Sequence, residues 1–192
     1  NERLEGKRLN LKLAIGNFSV DSVVDWKIKF ESHEEFVSLH RWNWLLRPAE
    51  GNELLDFDDG MALVRSWLAA NGMCPSGDAS ESYTVGERIS NVCLFARART
   101  GDWFTLPDDI QEALRFKAKF LAHRLEYLPG NLTGNHLINN ARALFFSGYC
   151  CAQSGSIDLA REILSSHLRV VVDSRGFLRE GSSHYQFLIT RW

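Results

Sequence analysis

Four asparagines fall between positions 131 and 140: Asn131, Asn135, Asn139 and Asn140 of NLTGNHLINNARALFF. Asn has mediocre helix propensity because its side chain competes for the backbone, so such a cluster is costly unless it holds a turn or faces something that needs amides. Thr133 or Gly134 can begin a helix. Leu137, Ala141, Leu144 and Gly148 then form one apolar face at helical period, with Asn135, Asn139 and Arg142 on roughly the opposite side. His136 and Asn140 lie between the two. Two readings follow. The amides cap the helix and bind a neighbouring loop, or Asn135 and His136 offer neutral donors to an anion at a helix N-terminus, where the dipole helps.

The elements that position this stretch are mainly helical. Residues 1–30 alternate in LNLKLAIG and VVDWKIKF, which suggests two short strands or extended arms with Gly16-Asn17 as a turn. Ser32 and Glu35 make an S-x-x-E capping box. Phe36, Leu39, Trp42 (or Asn43) and Leu46 continue a helix that Pro48 and Gly51 end. Further helices are expected from Asp58 to Asn71, Val85 to Arg99, Pro107 to Tyr127, Thr133 or Gly134 to Ala152, and Asp158 to Val172. A last one is expected from near Ser182 onward. Cys74 to Tyr83 reads as a loop, either a solvated connection or a cleft lining. About seven helices joined by short loops suggest antiparallel hairpins stacked side by side. The amphipathic QFLITRW at 186–192 has no stop signal, so the apolar faces are expected to belong to a larger ring of helices.

Composition bounds the function. The chain has 192 residues, 45% hydrophobic and 24% charged, with a net charge of −2. That is ordinary for a globular protein and argues against a nucleic-acid partner. No apolar run is long enough for a membrane span. Cys74, Cys93, Cys150 and Cys151 form no CxxC pair, and the histidines show no recognisable metal spacing, so neither metal nor cofactor is assigned. The adjacent Cys150 and Cys151 read as small hydrophobes, with a disulfide between distant cysteines left open. Ser182, Ser183 and His184 are not a triad, because adjacent Ser and His do not form that geometry as a rule.

Four stretches together resemble one family. LHRWNWLL (39–46), GERISNVCLF (86–95), GNHLINNARALFFSG (134–148) and GFLREGSSHYQF (176–187) resemble, in order and spacing, the N-terminal helical domain of the heparinase II/III-like polysaccharide lyases. The resemblance covers roughly residues 30–192. It implies an all-α fold, a partial α/α toroid of antiparallel helix hairpins over 31–192, preceded by an extended N-terminal arm over 1–30. The toroid would be cut at its C-terminus, and the family's β-sandwich domain would be absent from this chain.

The resemblance also implies a reaction: β-elimination at a uronic acid of an acidic polysaccharide, in a periplasmic or secreted setting. The proton at C5 is weakly acidic, and donors held against the carboxylate stabilise the enolate-like transition state. A base takes that proton and an acid protonates the leaving glycosidic oxygen. Carried over by position, Asn135 and His136 neutralise the carboxylate and Tyr185 is the acid/base. Arg88, Asn139 and His184 are candidates for binding substrate. Gln186 departs from the His that follows the Tyr in many members. The alternative is a non-catalytic carbohydrate-binding or assembly module on the same helices.

Overall fold

The computed structural model describes residues 4–20, 24–48, 55–127 and 134–177. These form six α-helices and one two-stranded sheet: β1 (Leu9–Lys12), β2 (Asn17–Val20), α1 (His33–His40), α2 (Phe57–Asn71), α3 (Ser82–Thr100), α4 (Asp108–Ala122), α5 (Asn135–Cys150) and α6 (Ser154–Val171). Two 3-10 turns, Asn43–Leu45 and Gly77–Ser80, join them. The described chain is therefore mostly helical, as expected. The helix expected from near Ser182 lies outside the described residues.

The hairpin is antiparallel, with Leu9 opposite Val20 and Lys12 opposite Asn17. Its second strand is Asn17–Val20, not the VVDWKIKF segment. Trp26 of that segment is buried and stacks on Trp44, ring centroids 5.8 Å apart. Leu4, Leu11, Leu13, Val20 and Trp26 enter the same buried cluster as the helices. Glu35 belongs to this packing too. Its Oε1 accepts from the amides of Ile15 (3.2 Å) and Gly16 (2.6 Å), and Ser32 makes no side-chain cap bond. The expected capping box is thus replaced by a cap on the hairpin turn.

The first helix also stops earlier than its apolar pattern suggests. It ends at His40, and Trp42 adopts φ 58°, an uncommon state for a bulky residue. Continued as a helix, Trp42 and Trp44 would point about 200° apart. The left-handed residue lets both bury, with Trp44 Nε1 donating to the Leu39 carbonyl at 3.0 Å. Two side chains of α3 hold the break. Arg88 Nε donates to the His40 carbonyl (2.7 Å), and Asn91 Nδ2 donates to the Arg41 carbonyl (2.9 Å) and to Asn43 Oδ1 (2.7 Å).

α2 begins where the Asp56 side chain accepts from the Asp59 amide at 2.7 Å, and it ends at Gly72 with φ 69°. In α4, Ile110, Leu114, Ala118 and Leu121 are buried, and so is Lys117, whose Nζ donates to the Met73 carbonyl at 2.9 Å. α5 packs against α3, α4 and α6. Its Leu137, Ala141, Leu144 and Gly148 are all buried, as the periodicity predicts. α3 and α5 run parallel. The Tyr83 carbonyl meets the Asn139 amide, and four residues on Glu87 meets Arg142. All four cysteines are free thiols, with Cys93, Cys150 and Cys151 buried and Cys74 exposed.

Candidate functional site

A cavity of about 610 Å³ opens along the non-core stripe of α5. That stripe is Asn135, Ile138, Asn139, Arg142, Phe145 and Phe146, recurring at i, i+3, i+4, i+7, i+10 and i+11. It changes along the helix from amides through a guanidinium to aromatic rings. Arg41, Asn43 and Arg47 face it from the turn after α1, and Tyr83, Glu87 and Asn91 from α3. Leu164 and Leu168 of α6 contribute apolar wall.

The amide end is well ordered by hydrogen bonds. Asn139 Nδ2 donates to the Tyr83 carbonyl at 3.2 Å, and Asn139 Oδ1 accepts from Arg142 at 2.6 Å. Arg142 also pairs with Glu87. The backbones approach closely here because position 86 is glycine. A Cβ on Gly86 would lie 2.9 Å from Asn139 Nδ2 and 3.1 Å from Asn140 Oδ1. At the other end Phe146 stacks on Trp103, centroids 5.4 Å apart, and Phe145 on Tyr149 at 6.5 Å.

The charge balance of the lining favours anions. Arg41, Arg47 and Arg142 outnumber Glu34 and Glu87, and the Glu87–Arg142 pair leaves two guanidiniums against the single carboxylate of Glu34. Asn135 and Tyr83 stand in the first turns of two parallel helices, where the dipoles also favour negative charge.

The residues expected from the sequence fall in different places. Asn135 and Asn139 line the cavity together. His136 is not among its lining residues: its ring is about half exposed, Nδ1 lies 2.7 Å from Glu126 Oε2, and the ring contacts that of Tyr83 at 4.7 Å. With the carboxylate accepting, Nδ1 carries a proton. Tyr185 and His184 lie outside the described residues.

Arg88 requires a correction. It is 0% exposed and does not reach the cavity. Its guanidinium donates to the His40 and Ala79 carbonyls, each at 2.7 Å, and lies 4.2 Å from the Trp67 ring. Burial lowers its pKa to about 9, so it remains a cation at neutral pH, held by carbonyls and ring faces. It is a strut for the turn that carries Arg41 and Asn43.

Sequence reasoning missed Arg41, Asn43, Arg47 and Tyr83 as cavity residues. Arg41 and Asn43 are interleaved with two buried tryptophans, which hid them inside an apparently amphipathic helix. Tyr83 sits at the end of the 74–83 segment, for which a solvated connection and a cleft lining were both open readings, and the second was the available signal. Among the described residues no cluster of metal-ligating side chains occurs, and no helix is long and apolar enough to cross a membrane. Comparison of the chain with protein-family models, curated proteins and solved structures gives no match.

Proposed function

We propose that the cavity binds an acidic polysaccharide by a uronate carboxylate, and that the protein cleaves the chain by β-elimination. The observation that carries this reading is the α5 stripe, which brings Asn135, Asn139 and Arg142 into one cavity opposite Arg41 and Arg47. Amides and guanidiniums against a carboxylate withdraw charge from it as the C5 proton leaves, the point at which the transition state becomes enolate-like. The apolar and aromatic far end suits the weakly polar faces of sugar rings.

The motif resemblance to the heparinase II/III-like lyases supports the same reading. So does the parallel run of α3 and α5 with α4 between them, an arrangement that an α/α toroid would repeat. In this reading the protein is a polysaccharide lyase of a periplasmic or secreted setting, with Asn135 as the principal carboxylate partner.

The test is ultraviolet absorbance of the unsaturated product when the protein is incubated with a panel of uronate polymers. The expected result is steady growth of that absorbance with at least one polymer and its loss in Asn135→Ala. No absorbance with any polymer, despite saturable binding, would favour the second reading, a non-catalytic carbohydrate-binding module. One observation favours that alternative: His136 is engaged by Glu126 and is not among the cavity-lining residues.

A further inference from the structure

We infer that the ligand is a chain of several sugars, which leaves the cavity at its aromatic end and stacks on an outer platform made by Tyr149 and Phe104. The inference rests on the carbohydrate reading of the cavity and deepens it from one bound uronate to an extended polymer. The cavity-lining stripe of α5 does not stop at Phe146. Tyr149 follows Arg142, Phe145 and Phe146 at i+7, i+4 and i+3, so it carries the same face one turn further. From Asn135 to Tyr149 that face runs about 21 Å, a length suited to several linked rings rather than one. The aromatic contacts are continuous. Phe145 stacks on Tyr149 at 6.5 Å and Phe146 on Trp103 at 5.4 Å. Trp103 meets Tyr149 edge-on at 6.0 Å, and Phe104 meets Tyr149 at 5.4 Å. Along this series exposure rises: Phe145, Phe146 and Trp103 are half-buried, Tyr149 is 42% exposed and Phe104 58%.

The turn that presents Phe104 is tied down by hydrogen bonds. Thr100 Oγ1 donates to the Ala96 carbonyl at 2.8 Å and lies 2.7 Å from Thr105 Oγ1. Asp102 Oδ1 accepts from the Phe104 amide at 3.2 Å, and Arg97 donates to the Gly101 carbonyl. This network holds an apolar ring mostly in water, next to a cavity that the same aromatic series lines. Clustered exposed rings mark binding surfaces. Their area and chemistry choose the occupant. The two exposed rings present on the order of 200 Å², against about 800 Å² per partner in a stable protein interface. A sugar needs far less: it lays an apolar C–H face on a ring and offers hydroxyls at its rim. The Tyr149 hydroxyl, and Asp102 and Thr105 on either side of Phe104 in the chain, are the polar groups for such a rim. The guanidiniums of Arg41, Arg47 and Arg142 stand in the cavity itself. Carboxylate recognition in the cavity is therefore screened by salt, and ring stacking on the platform is not.

The experiment titrates the full chain with saturated alginate and heparan sulfate oligosaccharides graded from disaccharide to decasaccharide, at low and high salt. Phe104→Ala, Tyr149→Ala, Tyr149→Phe and Asn135→Ala are titrated beside it, each with its unfolding curve and its sedimentation. The expected result is that affinity rises with length in the unaltered protein and that the gain survives high salt. Phe104→Ala and Tyr149→Ala each lose about 2- to 10-fold on the long oligomers and bind the disaccharide unchanged. Tyr149→Phe, which keeps the ring, retains the gain. Asn135→Ala weakens every length alike. If Tyr149→Ala fails to fold, Phe104→Ala decides, since its ring is the more exposed. Wild-type length dependence in both alanine variants, with Asn135→Ala still weakening the disaccharide, overturns the platform and leaves the cavity reading standing. Self-association of the unaltered protein that the alanine variants abolish gives the rings to a second copy of the chain and overturns it too. Saturable binding of none of the oligosaccharides overturns both readings.

Discussion

Trp67 Nε1 donates to His40 Nδ1 at 3.1 Å in the buried wall behind the turn that carries Arg41 and Asn43. The bond requires Nδ1 to be unprotonated, so it exists only with a neutral ring that keeps its proton on Nε2. Burial, and secondarily the nearby Arg88 charge, lower the His40 pKa from 6.5 to about 4.

A definite pH dependence follows. Between about pH 6.5 and pH 4 the unfolded chain binds a proton at this position that the folded chain refuses. The stabilisation is complete above the unfolded value and lost as pH falls toward 4, on the order of 3 kcal/mol in total. Urea midpoints measured across that window should fall with pH. His40→Asn, whose Oδ1 can still accept from Trp67, should flatten the slope. An unchanged slope in the variant would assign the acid sensitivity to other groups.

Lys117 carries the same kind of burden at higher pH. Burial, with the Arg88 charge second, lowers its pKa from 10.5 to about 7. From pH 7 upward the unfolded chain holds a proton that the folded chain has released, so stability rises with pH toward 10.5. Below pH 7 the buried ammonium costs on the order of 5 kcal/mol. Lys117→Met removes that cost and leaves the Met73 carbonyl without its donor, a loss of about 1–3 kcal/mol. The variant should gain about 2–4 kcal/mol near pH 6.5 and lose the alkaline rise. Destabilisation at pH 6.5 would mean that the Met73 bond and the Trp67 ring, 5.2 Å from Nζ, outweigh desolvation.

The sequence was most legible where a local pattern and the final packing agree. In α5 the positions Leu137, Ala141, Leu144 and Gly148 are buried and the amide stripe faces the cavity, because both faces are set by one helical period. The break at Trp42 was illegible for a physical reason. It depends on Arg88 and Asn91, 46 and 49 residues further on, which donate to the His40 and Arg41 carbonyls beside it. Glu35 misled in the same way: its carboxylate suits a helix cap, and the hairpin turn at Ile15 and Gly16 offered two amides instead. Arg88 matched a motif but not its expected role, since spacing alone does not say which side of α3 meets the cavity.

Gly86 ties stability to the site. A methyl group there would sit 2.9 Å from Asn139 Nδ2 and 3.1 Å from Asn140 Oδ1, closer than side chains normally approach. Gly86→Ala should therefore cost about 1–3 kcal/mol by overpacking. It should also displace Asn139 from Tyr83 and weaken binding of oligouronates several-fold. Denaturant midpoints and titration of the same preparation measure the two effects. A stable variant with unaltered affinity would show that α3 and α5 separate here at no cost.

Arg88 distinguishes a strut from a ligand-binding cation. Its guanidinium satisfies two carbonyls on separate segments, His40 and Ala79, and stacks near Trp67 and Trp42. Lysine keeps the charge but not the planar fork, so it cannot reproduce both bonds and the ring contacts together. Arg88→Lys should lower stability by about 2–4 kcal/mol, with two buried carbonyls losing or weakening their donors. Any loss of saccharide affinity should track the loss of fold and recover at lower temperature, where the folded fraction is restored. If Arg88→Lys unfolds at the same denaturant concentration as the unaltered protein and binds uronates more weakly, Arg88 contacts the ligand and the strut assignment is wrong.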